Sequence, residues 1–346
     1  VFVDEPGHAM LNVTLYTKKD CHLCEEVKAE LAKLQEKFPH RLLEVDIEKD
    51  AVLLAKFGTE IPVIEAGPYT LKAPINPQSL QMTIGAAFDR RNQLDQVGDE
   101  KFRKREAKVN SISTGDKISF WIAKNYLLAL NLFILIYIGL PFLAPTLMKI
   151  GAETPARAIY AIYKPLCHQF GFRSFFLYGE QPYYPLKEAG VDGVKTFEEV
   201  SGIPNLDNPY SATRFEAREF LGNEEMGYKI ALCERDTAIY VAMLFFGIFF
   251  GATGRRVKSL HWMLWILIGI APIGLDGFSQ LFSQFNWEWL SALVPYREST
   301  PFLRSLTGAL FGLTTAWFAY PNIEESMNET REYYIKKFTI HREPAE

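Results

Sequence analysis

Cysteine is scarce in this chain, four among 346 residues, which excludes a disulfide-stapled scaffold and leaves each cysteine to be explained by its neighbours. Excess charge is missing as well: a net −4 gives no reason to expect a nucleic-acid partner. There is no phosphate-cradling glycine loop, no Ser-His-Asp arrangement and no internal repeat. No secretory leader is expected from Val1 to Met10, which contain Asp4, Glu5 and Pro6 instead of a basic end and an apolar core; the N-terminal part is therefore expected to stay in the cytoplasm. Val1 to Ala9 read as an extension, since regular patterning begins at Met10. What the chain does hold is 48% apolar residues gathered in bunches, which excludes disorder, a fibrous repeat and a single soluble globule.

No charge occurs between Lys124 and Lys149, a run longer than the roughly 20 residues that a spanning helix needs. Three further uncharged runs, Thr237 to Gly254, Ser259 to Leu275 and Ser305 to Ile323, lie near the lower limit for a span. Four membrane spans are expected, at about 125–148, 233–254, 259–281 and 302–322. Ala158 to Tyr163 is apolar but confined between Arg157 and Lys164 and stopped by Pro165, so it reads as a short interfacial helix.

Basic residues give the orientation. Arg90 to Lys117 is rich in Lys and Arg, and the Gly254 to Ser259 turn carries Arg255, Arg256 and Lys258; both should be cytoplasmic. Chain order then places the long loop 169–230 and the Phe285 to Pro301 loop outside, and returns the tail 324–346 to the cytoplasm. The expected location is a multi-pass cell-membrane protein with both termini cytoplasmic and with membrane lipid as its surroundings. Asp95 to Lys108 reads as a helical linker whose cations suit anionic headgroups; Phe175, Phe176, Tyr183, Tyr184, Trp287 and Trp289 read as interfacial aromatics, and His261 as a headgroup contact.

Leu11 to Tyr16 alternates as a strand, and Cys21-His22-Leu23-Cys24 opens an amphipathic helix with apolar Val27, Leu31 and Leu34. At a helix N-terminus the first thiol is stabilised as a thiolate, and the second is close enough to resolve a mixed disulfide. Leu42 to Ile47 reads as a second strand, Asp50 to Phe57 as a short helix, and Glu60 to Ile64 as a strand entered through Pro62. This order of elements, from Met10 to about Phe88, resembles a glutaredoxin or thioredoxin-like domain. The resemblance implies a cis Pro62 facing the cysteines, Cys21 as nucleophile, Cys24 as resolving thiol and Pro62 in the substrate groove. It also implies a thiol or protein-disulfide substrate. A zinc site at Cys21 and Cys24, or a fold kept only for docking, stands as the rival reading; His22 reads as a modulator of thiol acidity.

Ionisable residues at membrane spans are expensive, so they are functional candidates by default. The membrane half carries Cys167, His168, Gln169, Arg173, Cys233, Asp236, Asp276, Gln280, Arg297 and Arg304. Helical rise puts Asp276 about 27 Å from Lys258 and Asp236 about 28 Å from Arg255, so this set gathers at the outer boundary. Gly247 with Gly251 and Gly308 with Gly312 are small-xxx-small pairs that permit close helix packing beneath it. Cys167-His168-Gln169, Arg173-Ser174-Phe175, Cys233 to Asp236, Asp276 to Gln280 and Arg304 to Gly308 together resemble a family of predicted prokaryotic membrane proteins, over about Tyr160 to Tyr320. Relatives often have a second cysteine where Asp236 stands, and the stretch between Tyr183 and Lys229 resembles an insertion.

Three readings fit that cluster. Cys167 and Cys233 form or exchange a disulfide, with a quinone as the electron carrier; or Cys167, His168, Cys233 and Asp236 hold a metal such as zinc; or Asp276 pairs with Arg297 or Arg304, the cysteines make an inert bridge, and the module serves a larger membrane complex. With that topology, roughly 30 Å of hydrocarbon separates Cys21 and Cys24 from Cys167 and Cys233 and excludes direct exchange between the pairs. The expected architecture is thus an α/β thioredoxin-like domain at 10–88, a basic helical linker at 89–118, and an all-α four-helix transmembrane domain at 119–323. The expected function is membrane-bound thiol-disulfide or electron-transfer redox chemistry; the alternatives are a metal-dependent membrane enzyme and a non-catalytic subunit.

Overall fold

A computed structural model describes residues 10–101, 104, 111–206, 212–284 and 296–342. The Val1 to Ala9 extension, Arg103, Arg105 and Lys108 of the linker, Asn208-Pro209 and the aromatics Trp287 and Trp289 lie outside the described residues. The chain divides into two units, residues 1–124 with 326–346, and residues 125–325.

The first unit is built on strands β1 (Leu11–Thr17), β2 (His40–Asp46), β3 (Val63–Ala66) and β4 (Tyr69–Lys72), in the order β2-β1-β3-β4. β1 runs parallel to β2 and antiparallel to β3, so this is a mixed sheet. The helices are α1 (His22–Leu34), α2 (Ala51–Phe57) and α3 (Pro77–Val97). Nearly every β1 side chain is buried because both faces of the sheet are covered. On one face Val13 and Leu15 pack with Val27 and Leu31 of α1 and Leu80 and Ile84 of α3; on the other, Tyr16 packs with Val45, Leu53 and Phe57. Asn76 caps α3 by accepting from the Ser79 amide at 2.7 Å, Pro77 fits its first turn, and Gly98 ends it in a left-handed conformation. The arrangement is that of a thioredoxin-like α/β domain.

The last turns of the chain belong to this unit as well. Lys336 pairs with Glu65 and lies over the Tyr16 ring, Lys56 bonds Glu332 at 2.7 Å, and Ile335 packs on the cluster around Phe57. Lys337, itself buried, bonds Asp116 at 2.8 Å.

The second unit is mostly helical. Its helices are α4 (Thr114–Lys149, from residue 125 onward), α5 (Glu153–Tyr163), the short α6 (Phe197–Ser201) and α7 (Glu216–Glu219), α8 (Glu234–Ala252), α9 (Trp262–Ser283) and α10 (Pro301–Arg342, to residue 325). Among the described residues three helices, α4, α8 and α9, are long and apolar enough to cross a membrane. The fourth uncharged segment, Ser305 to Ile323, is helical within α10, whose buried face carries Arg304, Thr307 and Thr314 and lowers its apolar character. Three of the four paired glycines mark close packing: a Cβ on Gly308 or Gly312 would overlap the carbonyl oxygens of Arg235 and Ile239 on α8, and one on Gly247 would strike the Asn131 side chain of α4, whereas one on Gly251 would make only ordinary contact with Leu127.

The all-α expectation is corrected in one respect. Strands β5 (Ser174–Leu177), β6 (Gly222–Asn223) and β7 (Gly227–Cys233) form a small antiparallel sheet in the order β5-β7-β6. The residues between have their own core, with Phe172, Phe176, Tyr184, Phe197 and Met226 buried together. Aromatics 175, 176, 183 and 184 alternate between this core and more open faces, so Phe176 and Tyr184 serve packing in place of an interfacial role.

Candidate functional site

In the first unit the turn after β1 delivers Cys21 to the N-cap of α1. Its sulfur accepts the Cys24 amide at 3.3 Å, and Cys21 is joined to Cys24 in a disulfide. Cys24 is fully buried, whereas Cys21 is half-buried at the surface. The Ile61–Pro62 bond is cis, and Pro62 lines a cleft of about 350 Å³ with Leu23, Ile75 and Leu80. Glu26 and Glu30 edge the same cleft, and among the described residues no Lys or Arg lines it. His22 is exposed and pairs with Glu26 at 3.2 Å. A zinc site here is disfavoured while the two sulfurs are bonded to each other.

In the second unit the structure brings the sequence-predicted polar residues into two groups with different chemistry. The first is an ion-pair network. Asp276 is buried on α9 and is held by Arg235, by Arg297 at 2.8 Å and by the Ser299 hydroxyl at 2.8 and 2.9 Å. Glu298, also buried, receives a two-pronged contact from Arg173 at 2.7 and 2.8 Å and another from Arg304, which reaches Glu234 at 3.1 Å. Burial raises the Glu298 carboxyl, but Arg173 and then Arg304 more than offset it and leave it below the ordinary value. Of the two partners expected for Asp276, Arg297 is found and Arg304 is not; Arg304 is committed to the two glutamates.

The second group is Cys167, Cys233 and Asp236, whose ligand atoms all lie within 4.8 Å of one another. Gln169, at a left-handed φ of 53°, donates from its amide to Tyr160 and Ala231 carbonyls, each at 3.0 Å, which pins the Cys167 loop to β7. Cys233 ends β7 and caps α8, so its amide reaches Cys167 Sγ at 3.3 Å while its own sulfur accepts from the Asp236 amide at 3.4 Å. Both cysteines are free, so the expected inert bridge is not formed. The hydrogen bond from the Cys233 thiol holds the Cys167 thiol below its ordinary value in spite of burial. His168 does not join the group: it is exposed and stacks on Phe170.

Both groups border one cavity of about 440 Å³, lined also by Gln280, whose side-chain nitrogen is buried without a partner among the described residues. Sequence reasoning missed Lys229. It is completely buried, donates to the carbonyls of Gln169 and Arg218 at 2.6 Å each, and burial brings its pKa down to about 7. Its place at an inward position of an alternating strand was the available signal, obscured because charge ordinarily marks an outward position.

Comparison with known proteins bears on both units. Residues 12–85 match the family described as Glutaredoxin-like domain (DUF836), and residues 225–318 match Predicted membrane protein (DUF2085). The second match begins after Cys167 and Arg173, so those two residues are placed by the structure alone. An uncharacterized protein of Methanocaldococcus jannaschii is 23% identical over 207 residues, covering 57% of this chain and 92% of that protein. No solved structure matches. The chain therefore joins an N-terminal glutaredoxin-like domain to a C-terminal domain of the predicted membrane protein family.

Proposed function

We propose that this protein is a membrane-bound thiol-disulfide oxidoreductase acting through Cys21 and Cys24. The observation that carries the reading is the asymmetry of the pair: Cys21 caps α1 and is partly exposed, whereas Cys24 is fully buried one turn inside. A helix N-terminus supplies unpaired amides and a positive dipole end, which favour the thiolate at Cys21. In the reduced protein the Cys21 thiolate attacks a substrate disulfide, forming a mixed disulfide and releasing one substrate thiolate. The Cys24 thiol, deprotonated as it reacts, then attacks Cys21 Sγ, which closes the Cys21–Cys24 disulfide and releases the second substrate thiol. An external dithiol restores the reduced pair.

The membrane half crosses four times in this reading, with Ser305 to Ile323 of α10 as the fourth span and both termini cytoplasmic. Arg255, Arg256 and Lys258 in one short turn support that orientation. Cys24→Ser should trap a covalent complex with a disulfide peptide through Cys21, and Cys21→Ser should not; equal behaviour of the two variants would overturn the assignment. For the orientation, a membrane-impermeant thiol reagent should label reduced Cys21 only after cells are permeabilised, and labelling in intact cells would overturn it.

A further inference from the structure

Cys167, Cys233 and Asp236 stand apart from everything the thiol-exchange reading uses. Two sulfurs and a carboxylate converge from separate segments, the loop after α5 and the junction of β7 with α8, and the Gln169 amide bonds to Tyr160 and Ala231 fix one segment against the other. All three ligand atoms lie within 4.8 Å of one another. A tetrahedral zinc ion, with bonds of about 2.3 Å to sulfur and 2.0–2.2 Å to oxygen, places its ligand atoms roughly 3.5–3.8 Å apart, so the three atoms lie within about 1 Å of that spacing.

The surroundings suit a metal and not merely a polar contact. Each sulfur accepts a backbone amide, Cys167 from Cys233 at 3.3 Å and Cys233 from Asp236 at 3.4 Å, the outer hydrogen bonding that steadies metal-bound thiolates. The nearby carboxylates of Asp276, Glu298 and Glu234 are each taken by an arginine. Among the described residues no hydrogen-bond donor or cation engages the Asp236 carboxylate. The three groups also line the 440 Å³ cavity, as does Gln280, only 6% exposed, whose side-chain nitrogen has no partner among the described residues.

We propose that Cys167, Cys233 and Asp236 hold one zinc ion whose fourth position faces this cavity. Two thiolates with a carboxylate make a donor set that zinc accepts readily. Three protein ligands with one open position are the arrangement of a zinc that binds water or a substrate oxygen. The unpartnered Gln280 amide is a donor set to meet that oxygen-bearing ligand. The site is independent of the chemistry at Cys21 and Cys24.

The test uses purified full-length protein and two probes, zinc and cobalt(II). The expected result is about one zinc per chain by elemental analysis and, after exchange for cobalt, the strong visible absorption of a tetrahedral cobalt–thiolate centre. Asp236→Asn should weaken zinc binding at least tenfold, and Cys233→Ala should abolish it. The Cys21→Ser, Cys24→Ser double variant should keep the metal in full. Should Cys233→Ala fail to fold, the cobalt spectrum of the Cys21→Ser, Cys24→Ser double variant decides, since Cys167 and Cys233 are then the only thiolates left. A protein that takes up neither metal with all four thiols reduced, a Cys167–Cys233 disulfide in freshly isolated protein, or metal retained in Cys233→Ala would each overturn the proposal.

Discussion

Replacing Glu298 by Gln probes the buried ion-pair network. The carboxylate is 1% exposed, accepts two hydrogen bonds from Arg173 at 2.7 and 2.8 Å, and takes a third contact from Arg304, which is 3% exposed. Gln keeps the shape and one acceptor, but it removes the charge and turns an amide N–H toward a guanidinium. Arg173 and Arg304 then face one another across a neutral side chain, with Glu234 still paired to Arg304 alone. Removing one partner of a buried pair costs about 3–5 kcal/mol, and because the Arg173 side chain is 24% exposed the lower end applies, about 3 kcal/mol. For a unit of this length each kcal/mol moves the melting midpoint by roughly 2–4 °C, so the variant should melt about 6–12 °C below the unaltered protein in detergent. The control is Arg157→Ala, which removes a pair more than half exposed on both sides and should cost no more than about 1 kcal/mol. If Glu298→Gln melts with the control, the network does not hold this unit together.

Helix packing and pH give two further tests. A Cβ on Gly312 would overlap the Ile239 carbonyl, so Gly312→Ala should destabilise by about 1–3 kcal/mol, whereas Gly139→Ala, with nothing within 4 Å, should leave stability unchanged or slightly raised; equal melts would refute the close α8–α10 contact. His40 is buried with its ring nitrogen 2.6 Å from the Phe38 carbonyl, and burial lowers its pKa. Below about 6.5 the unfolded chain therefore holds more protons than the folded one, and stability falls as pH drops from that value through the folded pKa. The protection of β1 and β2 amides, taken relative to the intrinsic exchange rate at each pH, should fall on acidification in the unaltered protein and less so in His40→Gln; an equal response would refute it.

The first unit was legible because its signals are local. Strand alternation, the Cys-x-x-Cys at a helix start and the Ile61-Pro62 dipeptide sit within short windows, and each is found where the pattern places it. β4 escaped notice because Tyr69-Thr70-Leu71-Lys72 is short and mostly exposed, so it lacks the burial that produces alternation. In the membrane half, spacing along helices was enough to gather the polar residues at one level. It could not sort them, because which arginine meets which acid depends on how helices rotate about their axes. Asp276 thus took Arg235 as well as Arg297, and Glu298 emerged as a hub for Arg173 and Arg304. His168 falls outside the ligand group because Gln169, bonded to two carbonyls, anchors the buried side of the turn that holds Cys167 and leaves His168 exposed at the border of the same cavity. The fold of the long loop was hidden for a different reason. Its core of Phe172, Tyr184, Phe197 and Met226 draws on residues far apart in sequence, which no periodicity reveals.

The most direct test of the account is disulfide reduction by the full-length protein, with Cys21→Ser and Cys24→Ser alongside. The account predicts turnover of a disulfide peptide by the unaltered protein, loss of turnover in both variants, and a stable mixed disulfide through Cys21 in Cys24→Ser alone. Turnover that survives in Cys21→Ser would contradict it.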